Sequence, residues 1–435
     1  MPYYRVIKVT EIFTPSDYPL YTYVARDEER IEDRLREALM TPGEIVSVSG
    51  PSKSGKTVLV EQVAGRDNLI TITGAGLSDA SQVWDRTLDW MGAPTQTSQT
   101  TTSTVGASAT ATAKGGLTLP LLGSIGAEGG GGASGSRATG GTEARTRTGL
   151  PQVVREIGNS SFVLLIDDFH YMPGAVQAEV AKQIKEAARQ GVKIVTASVP
   201  HRSDDVVRSN PELRGRVRTV DTKPWKVSEL VRIAELGFPA AGLRLPNATM
   251  RQLAVEASQS PQLMQAICLQ ICFTLKQYEA KAPIIDRQLS SAEVRTAYEE
   301  TSTRTDFASL IRSMHAGPKI RGTERKEFEL TDGSRGDVYR ALLLALKADP
   351  PTLSFRWNEI SRRVQATCRP DSPQAASLST ACAQISKIAK EMYPNQRVVD
   401  REGDPVNLLS IEDPYFLFYL RWSDKLAGLQ REGAA

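Results

Sequence analysis

The chain has 435 residues, 40% of them hydrophobic and 24% charged, with a formal net charge of +3. That length leaves room for about two to three domains, and a charge so near balance gives no argument for a nucleic-acid partner. No run of about 18 apolar residues occurs, so no membrane-spanning helix is expected. The start, MPYYRVIKVTEIF, lacks the basic-then-apolar order of a signal peptide. The cysteines Cys268, Cys272, Cys368 and Cys382 have no histidine nearby, and read as reduced, buried thiols of a cytoplasmic protein rather than as a zinc site.

In chain order, an N-terminal segment closes on a charged helix, RDEERIEDRLREAL. EIVSVSG follows as a strand, GPSKSGKT as a Gly-rich loop and KTVLVEQVA as a helix. NLITITG is a second strand, and SDASQVWDRTLDWMG a helix with Ser78 as its N-cap. Residues 94–149 are rich in Thr, Ser, Ala and Gly and interrupt the pattern. LPQVVREIG resumes as a helix and SFVLLIDD as a buried strand. AVQAEVAKQIKEAARQG is a helix stopping at Gly191, and VKIVTAS and VRTVDTKPW are the last strands. Strands alternating with helices predict an α/β fold with a parallel sheet, spanning 1–225. Residues 226–330 read as five helices, and 318–333 as a polar linker. Residues 334–435 read as three helices, a hairpin in QRVV and VNLLSI, and a final helix in DPYFLFYLRWSDKL, which is the order of a winged helix.

The chemistry concentrates at residues 50–57. The spacing G-x-x-x-x-G-K-[ST] is met by Gly50, Gly55, Lys56 and Thr57, between a strand and a helix, as phosphate binding by this loop requires. Backbone N–H groups across Gly50, Pro51, Ser52, Lys53, Ser54 and Gly55 would curl around the phosphates, aided by the helix N-terminus. Lys56 would reach the β- and γ-phosphates and Thr57 would ligate Mg²⁺. In FVLLIDDFH five apolar residues lead to Asp167 and Asp168 at the carboxyl edge of a strand, where open α/β sheets bind ligands. Asp167 would orient the metal, and Asp168 would polarise the attacking water. Thr196 or Ser198, at the end of the neighbouring strand, would meet the γ-phosphate or that water, with His201 and Arg202 just beyond. Arg214 and Arg216 precede the last core strand, where an arginine can reach a neighbouring subunit's nucleotide.

With these residues assembled, the chain resembles the AAA+ and STAND branch of P-loop ATPases, in particular the origin-recognition and archaeal-ATPase type. Val24, Arg26 and Asp27 are similar to that group's adenine-side stretch, with Ala25 where glycine is usual. Gly50 to Thr57 match its Walker A motif, Asp167–Asp168 its Walker B, and Arg216 its arginine-finger place. Pro261 matches the proline of the STAND lid motif, with Gln259 at the glycine place. The resemblance implies a helical lid over 226–330, a winged helix over 334–435, ATP and Mg²⁺ as ligands, and a slow, regulatory ATPase. It also implies a homo-oligomer, signalling through a separate effector or regulator, and service in bacterial conflict or antiphage defence. The alternative is a DNA-binding ATPase loader or regulator. Its reading helix would carry Lys387 and Lys390 and its wing Arg397 and Arg401, but Asp400, Glu402 and Asp404 sit among them.

Within the insert, Val105, Ala107, Ala109, Ala111 and Ala113 alternate with Gly, Ser and Thr, and Leu117, Leu119 and Leu121 keep the pattern after Lys114-Gly115-Gly116. This pattern predicts a hairpin with two readings: a poorly ordered loop or plain surface hairpin, or open edges that pair between subunits on assembly. Its mostly Ala and Val face partitions weakly into lipid, which disfavours a membrane role.

Overall fold

The computed structural model describes residues 5–26, 29–93, 96–99, 143–199, 210–319, 324–394, 396–403 and 406–429. A short helix α1 (Val9–Ile12) and the charged helix α2 (Ile31–Met40) precede the first strand, β1 (Ile45–Ser49). Then follow α3 (Lys56–Ala64), β2 (Leu69–Thr73), α4 (Ser81–Trp90), β3 (Gln96–Gln99), β4 (Glu143–Thr146), α5 (Leu150–Ile157), β5 (Val163–Asp167), α6 (Gly174–Arg189), β6 (Lys193–Ser198) and β7 (Val217–Asp221). The expected parallel sheet is present, in the order β2-β5-β6-β1-β7.

Its strands are apolar runs because helices cover both faces, and the period-two alternation divides each run between two cores. Ile45, Leu164 and Ile166 pack with α4, α5 and α6, while Val46, Val48, Leu165 and Val195 pack with α2 and α3. Helix α6 ends where Gly191 (φ +87°) enters the left-handed region. There the Gly191 N–H donates to the Ala188 carbonyl and the Val192 N–H to that of Ala187.

The second half is mainly helical: α7 (Val227–Ala240), α8 (Asn247–Glu256), α9 (Pro261–Thr274), α10 (Ser291–Ser302) and α11 (Ala308–Ala316). Next come α12 (Val338–Lys347), α13 (Trp357–Thr367) and α14 (Ala375–Met392), then two antiparallel strands, Val399–Glu402 and Leu408–Ile411, and α15 (Pro414–Trp422). A third strand, Ser354–Arg356, pairs with Leu408–Ile411. One apolar core runs from Phe13 through Phe238, Leu263 and Tyr298 to Leu342 and Phe416. A bidentate ion pair beside it joins Arg421 on α15 to Glu256 on α8, at 2.7 and 3.0 Å.

Four expectations need correction. Ser78 does not cap α4: the helix starts at Ser81, whose N–H is bonded by the Asp79 carboxylate. The stretch read as a linker contains a strand, Phe328–Leu330, paired with Arg335–Gly336 and Cys368–Arg369. Pairings this short leave too little periodicity to read. The first hairpin strand runs on from Val399 to Glu402, into polar residues taken for its turn. The ends of the insert, to which no element was assigned, form an antiparallel stem of Gln96–Gln99 with Glu143–Thr146. The predicted hairpin at 105–121 lies outside the described residues.

Among the described residues no helix is long and apolar enough to cross a membrane. All four cysteines are buried, and burial pushes the Cys272 thiol up to about 12 and Cys382 up to about 11. A disulfide-exchange reagent at pH 8 needs exposed thiolate. The native protein is therefore expected to release almost no thionitrobenzoate within minutes, and four equivalents in denaturant. Rapid native reaction of two or more thiols would contradict this packing.

Candidate functional site

The carboxyl ends of the parallel strands align at Ser49, Thr73, Asp167, Ser198 and Asp221. β6 lies between β1 and β5, so the Gly-rich loop and the acidic pair flank it. The loop closes tightly at Gly50: a Cβ there would fall 1.7 Å from Thr222 Oγ1. It turns into α3 through Gly55 at φ +86°, a conformation that favours glycine. No side chain caps α3, so its first-turn N–H groups remain available to an anion.

Lys56 folds back and donates to the carbonyls of Gly50 (3.0 Å) and Pro51 (2.9 Å). Burial lowers its pKa, and Asp167 and then Asp168 act in the opposite sense. The Thr57 hydroxyl donates to Asp167 Oδ2 at 2.7 Å, bridging loop and acidic strand. Asp167 Oδ1 accepts the Asp168 N–H at 2.9 Å while Asp168 sits at φ +56°. Burial raises the pKa of Asp168, with the Asp167 charge second; Lys56 and Lys53 oppose the shift.

These groups line a cavity of about 490 Å³, within the size range of small-molecule sites. It brings together Val24 and Arg26, Ser52 to Thr57, Asp167, Asp168 and Pro261. Pro261 opens α9 and lies beside the loop: a Cβ on Gly55 would lie 3.9 Å from its Cγ. Gln259 holds the glycine-like conformation at φ +65°. Arg26 is held by the Glu229 carboxylate (3.2 Å), Glu29 (3.2 Å) and the Lys223 carbonyl (2.9 Å).

Four expected residues do not line this cavity: Gly50 and Pro51, whose carbonyls accept from Lys56, and Ser198 and Arg216. Ser198 lies behind the loop, where its carbonyl accepts the Gly50 N–H at 3.2 Å. Its hydroxyl is buried without a hydrogen-bond partner among the described residues. Arg216 is exposed at the opposite, amino-terminal end of the sheet, where its carbonyl accepts the Ile45 N–H. A full strand, β1 or β7, separates it from the loop. At the usual rise per residue that is roughly 16 Å of strand length. It therefore cannot serve the cavity of its own chain. His201 and Arg202 lie outside the described residues.

Other contacts were missed in the sequence. The Trp225 indole donates to the Ser54 carbonyl at 2.9 Å, and the Ser260 hydroxyl to the Lys53 carbonyl at 3.3 Å. Trp225 ends a strand-like stretch, TKPW, and no spacing rule pairs it with the loop. A second cavity of about 560 Å³ shares Ser16, Lys53 and Gln262 with the first, and reaches Arg304, Tyr393 and Asp413. Burial raises the pKa of Asp413, and Lys53 opposes this. Burial raises the pKa of Tyr171, three residues after the acidic pair, and the nearby Arg397 backbone opposes this. The C-terminal segment thus stands beside both halves of the site.

A parallel sheet in this order, with the Gly-rich loop after β1 and the acidic pair on β5, is an AAA+-like P-loop fold. Solved structures similar to the chain include the Walker-type ATPase of Pyrococcus abyssi, at 14% identity over 93% of this chain and 99% of that one, TM-score 0.45. Cdc6p from Pyrobaculum aerophilum is similar at 13% identity over 97% and 99%, TM-score 0.41. The ORC2 protein of Aeropyrum pernix is similar at 12% identity over 97% and 99%, TM-score 0.43. No family model matches the chain, and no curated protein matches it in sequence.

Proposed function

We propose that the chain is an ATP-binding and ATP-hydrolysing switch of the STAND/AAA+ kind, coupling nucleotide state to self-assembly and to a partner protein. The observation that carries the reading is the 2.7 Å contact between Thr57 and Asp167, with Lys56 and Asp168 in the same cavity. A hydroxyl and a carboxylate oxygen this close are the hard donors that Mg²⁺ takes, so Thr57 and Asp167 would hold it. The metal would neutralise charge on the phosphate oxygens. Lys56 would bind those oxygens too, and the Asp168 carboxylate would accept the proton of the attacking water. Ser198 would act on the substrate through the loop, whose Gly50 N–H its carbonyl holds. Adenine rather than guanine is assigned from the resemblance of the stretch Val24–Arg26.

The switch reading draws on the contacts that tie the second half to the loop. Ser260 is bonded to it, Pro261 lies beside it, and Lys53 and Asp413 line one cavity. We assign 226–330 as a lid and 334–435 as a winged helix that move against the core with nucleotide state. The cellular setting is the conflict-defence role that the resemblance implies, with a separate effector. The DNA-loader reading draws less support. Lys387 pairs with Glu391, Arg397 with Asp400, and Arg401 is bonded to Ser379, which leaves few free cations for phosphates.

Arg216, remote from its own cavity, fits a role in a neighbouring copy's site. Particle mass measured with and without a slowly hydrolysed ATP analogue tests the assembly. The analogue is expected to produce a defined oligomer. Arg216→Ala is expected to cut its ATP turnover by roughly 100-fold or more with nucleotide binding intact. A constant monomer with unchanged turnover in the variant would remove the assembly step.

A further inference from the structure

The loop that would cradle the phosphates is gripped from outside at two successive carbonyls, one by Trp225, just before the N-cap of α7, and one by Ser260, the N-cap of α9. The Trp225 indole N–H donates to the Ser54 carbonyl at 2.9 Å. The Ser260 hydroxyl donates to the Lys53 carbonyl at 3.3 Å. Both peptide bonds are trans. In a planar trans peptide the carbonyl and the following N–H point in opposite directions. Fixing the Ser54 carbonyl therefore fixes where the Gly55 N–H points, and fixing the Lys53 carbonyl does the same for the Ser54 N–H. Among the described residues neither N–H donates to another protein group. They face away from the lid-side donors, as phosphate-binding donors of this loop must.

The indole is itself held in place. The Arg26 guanidinium lies over its ring at 5.3 Å from the centroid, within the range of a cation–π contact. Arg26 is braced in turn by Glu229, Glu29 and the Lys223 carbonyl. Glu229 also accepts the Lys226 N–H at 2.7 Å, and so caps α7, the first lid helix. Arg26, Trp225 and the first turn of α7 are thus one linked unit, ending on a carbonyl of the loop.

We infer that Trp225 is a positioning residue for nucleotide binding: its indole N–H orients the Ser54–Gly55 peptide so that the Gly55 N–H meets phosphate, and Ser260 does the same one peptide earlier. This rests on the nucleotide site proposed above and adds to it a dependence of loop geometry on where the lid stands. A loop ordered before binding loses less freedom when the ligand arrives. The contribution is made equally to bound substrate and transition state, so it appears in binding and not in the chemical step.

Trp225→Phe keeps a ring beneath Arg26 and removes only the donor. It is expected to raise both the KM for MgATP and the Kd for ADP by about five- to tenfold, with kcat within about twofold. Ser260→Ala is expected to raise them about threefold, and Ser260→Thr, which keeps the hydroxyl, to restore them. Lys56→Ala is the reference. If Lys56→Ala loses ADP binding while Trp225→Phe binds as the unmodified protein does, the positioning role is wrong and the site stands. If Lys56→Ala also binds normally, the nucleotide site itself is misplaced and this inference falls with it. Should Trp225→Phe fail to fold, the serine pair decides. A weakened alanine variant rescued by threonine supports the role, and two variants equal to the unmodified protein overturn it.

Discussion

Asp168→Asn is expected to bind ADP within about twofold of the unmodified protein and to lose at least about 100-fold in ATP turnover, the range general-base removal commonly costs. The same substitution is expected to stabilise the nucleotide-free, metal-free fold. Burial and the neighbouring Asp167 raise the pKa of Asp168. A carboxyl whose folded pKa is raised stabilises the fold below its unfolded pKa, and that stability is lost as pH rises through the folded value. At pH 7 the ionised form therefore carries a cost, which a neutral amide of the same shape avoids. Activity falling while the melting temperature rises is a signature that general damage does not give. Lys56→Ala contrasts with it: nucleotide binding, not only turnover, is expected to fall about 100-fold or more. Measuring ADP binding, turnover and melting temperature for both variants separates the two roles. If Asp168→Asn turns over normally, the base has been misassigned.

Arg421→Ala is expected to cost about 3–5 kcal/mol in urea unfolding, because it strands a charge in the interior. Arg421 and Glu256 side chains are 8% and 10% exposed, and the guanidinium meets both carboxylate oxygens, at 3.0 and 2.7 Å. Without it Glu256 keeps the Trp422 indole as its bonded donor, at 2.8 Å. Arg421 also meets Asp349, whose side chain is 85% exposed. That contact adds little, since water and salt screen so open a charge. Glu256→Gln, which keeps the shape and loses the charge, is expected to cost less, and the double-mutant cycle gives the coupling. Additive single costs would mean that the pair is not a unit, and the joint between α8 and α15 would then need another cause. If the pair does couple, it holds α8 and α15 together as one packed unit.

The loop from Gly50 to Thr57 and the acidic pair were legible because their chemistry is encoded in local spacing. A strand, a glycine pair, a lysine and a hydroxyl must follow one another closely, and an acidic pair must end an apolar strand. The core strands and the helices α7 to α11 were legible for the same reason, through their periodicity. The short pairings at Phe328–Leu330 and Ser354–Arg356 were not, since so few residues hold no usable period. The cap of α4 was misplaced because Ser78 is a good cap in sequence, whereas the backbone starts the helix later and leaves Ala80 at the N-cap position.

The sequence by itself determined where the Gly-rich loop falls and which strand carries the acids, because those features live within a few residues of one another. Only the tertiary structure decided what grips the loop from outside. Trp225 is 171 positions from Ser54 and Ser260 is 207 from Lys53. It likewise joined Glu256 to Arg421 and removed Arg216 to the far end of the sheet from its own cavity. Hydrogen bonds and ion pairs act over a few ångströms whatever the separation along the chain, so partners far apart in sequence leave no spacing to read.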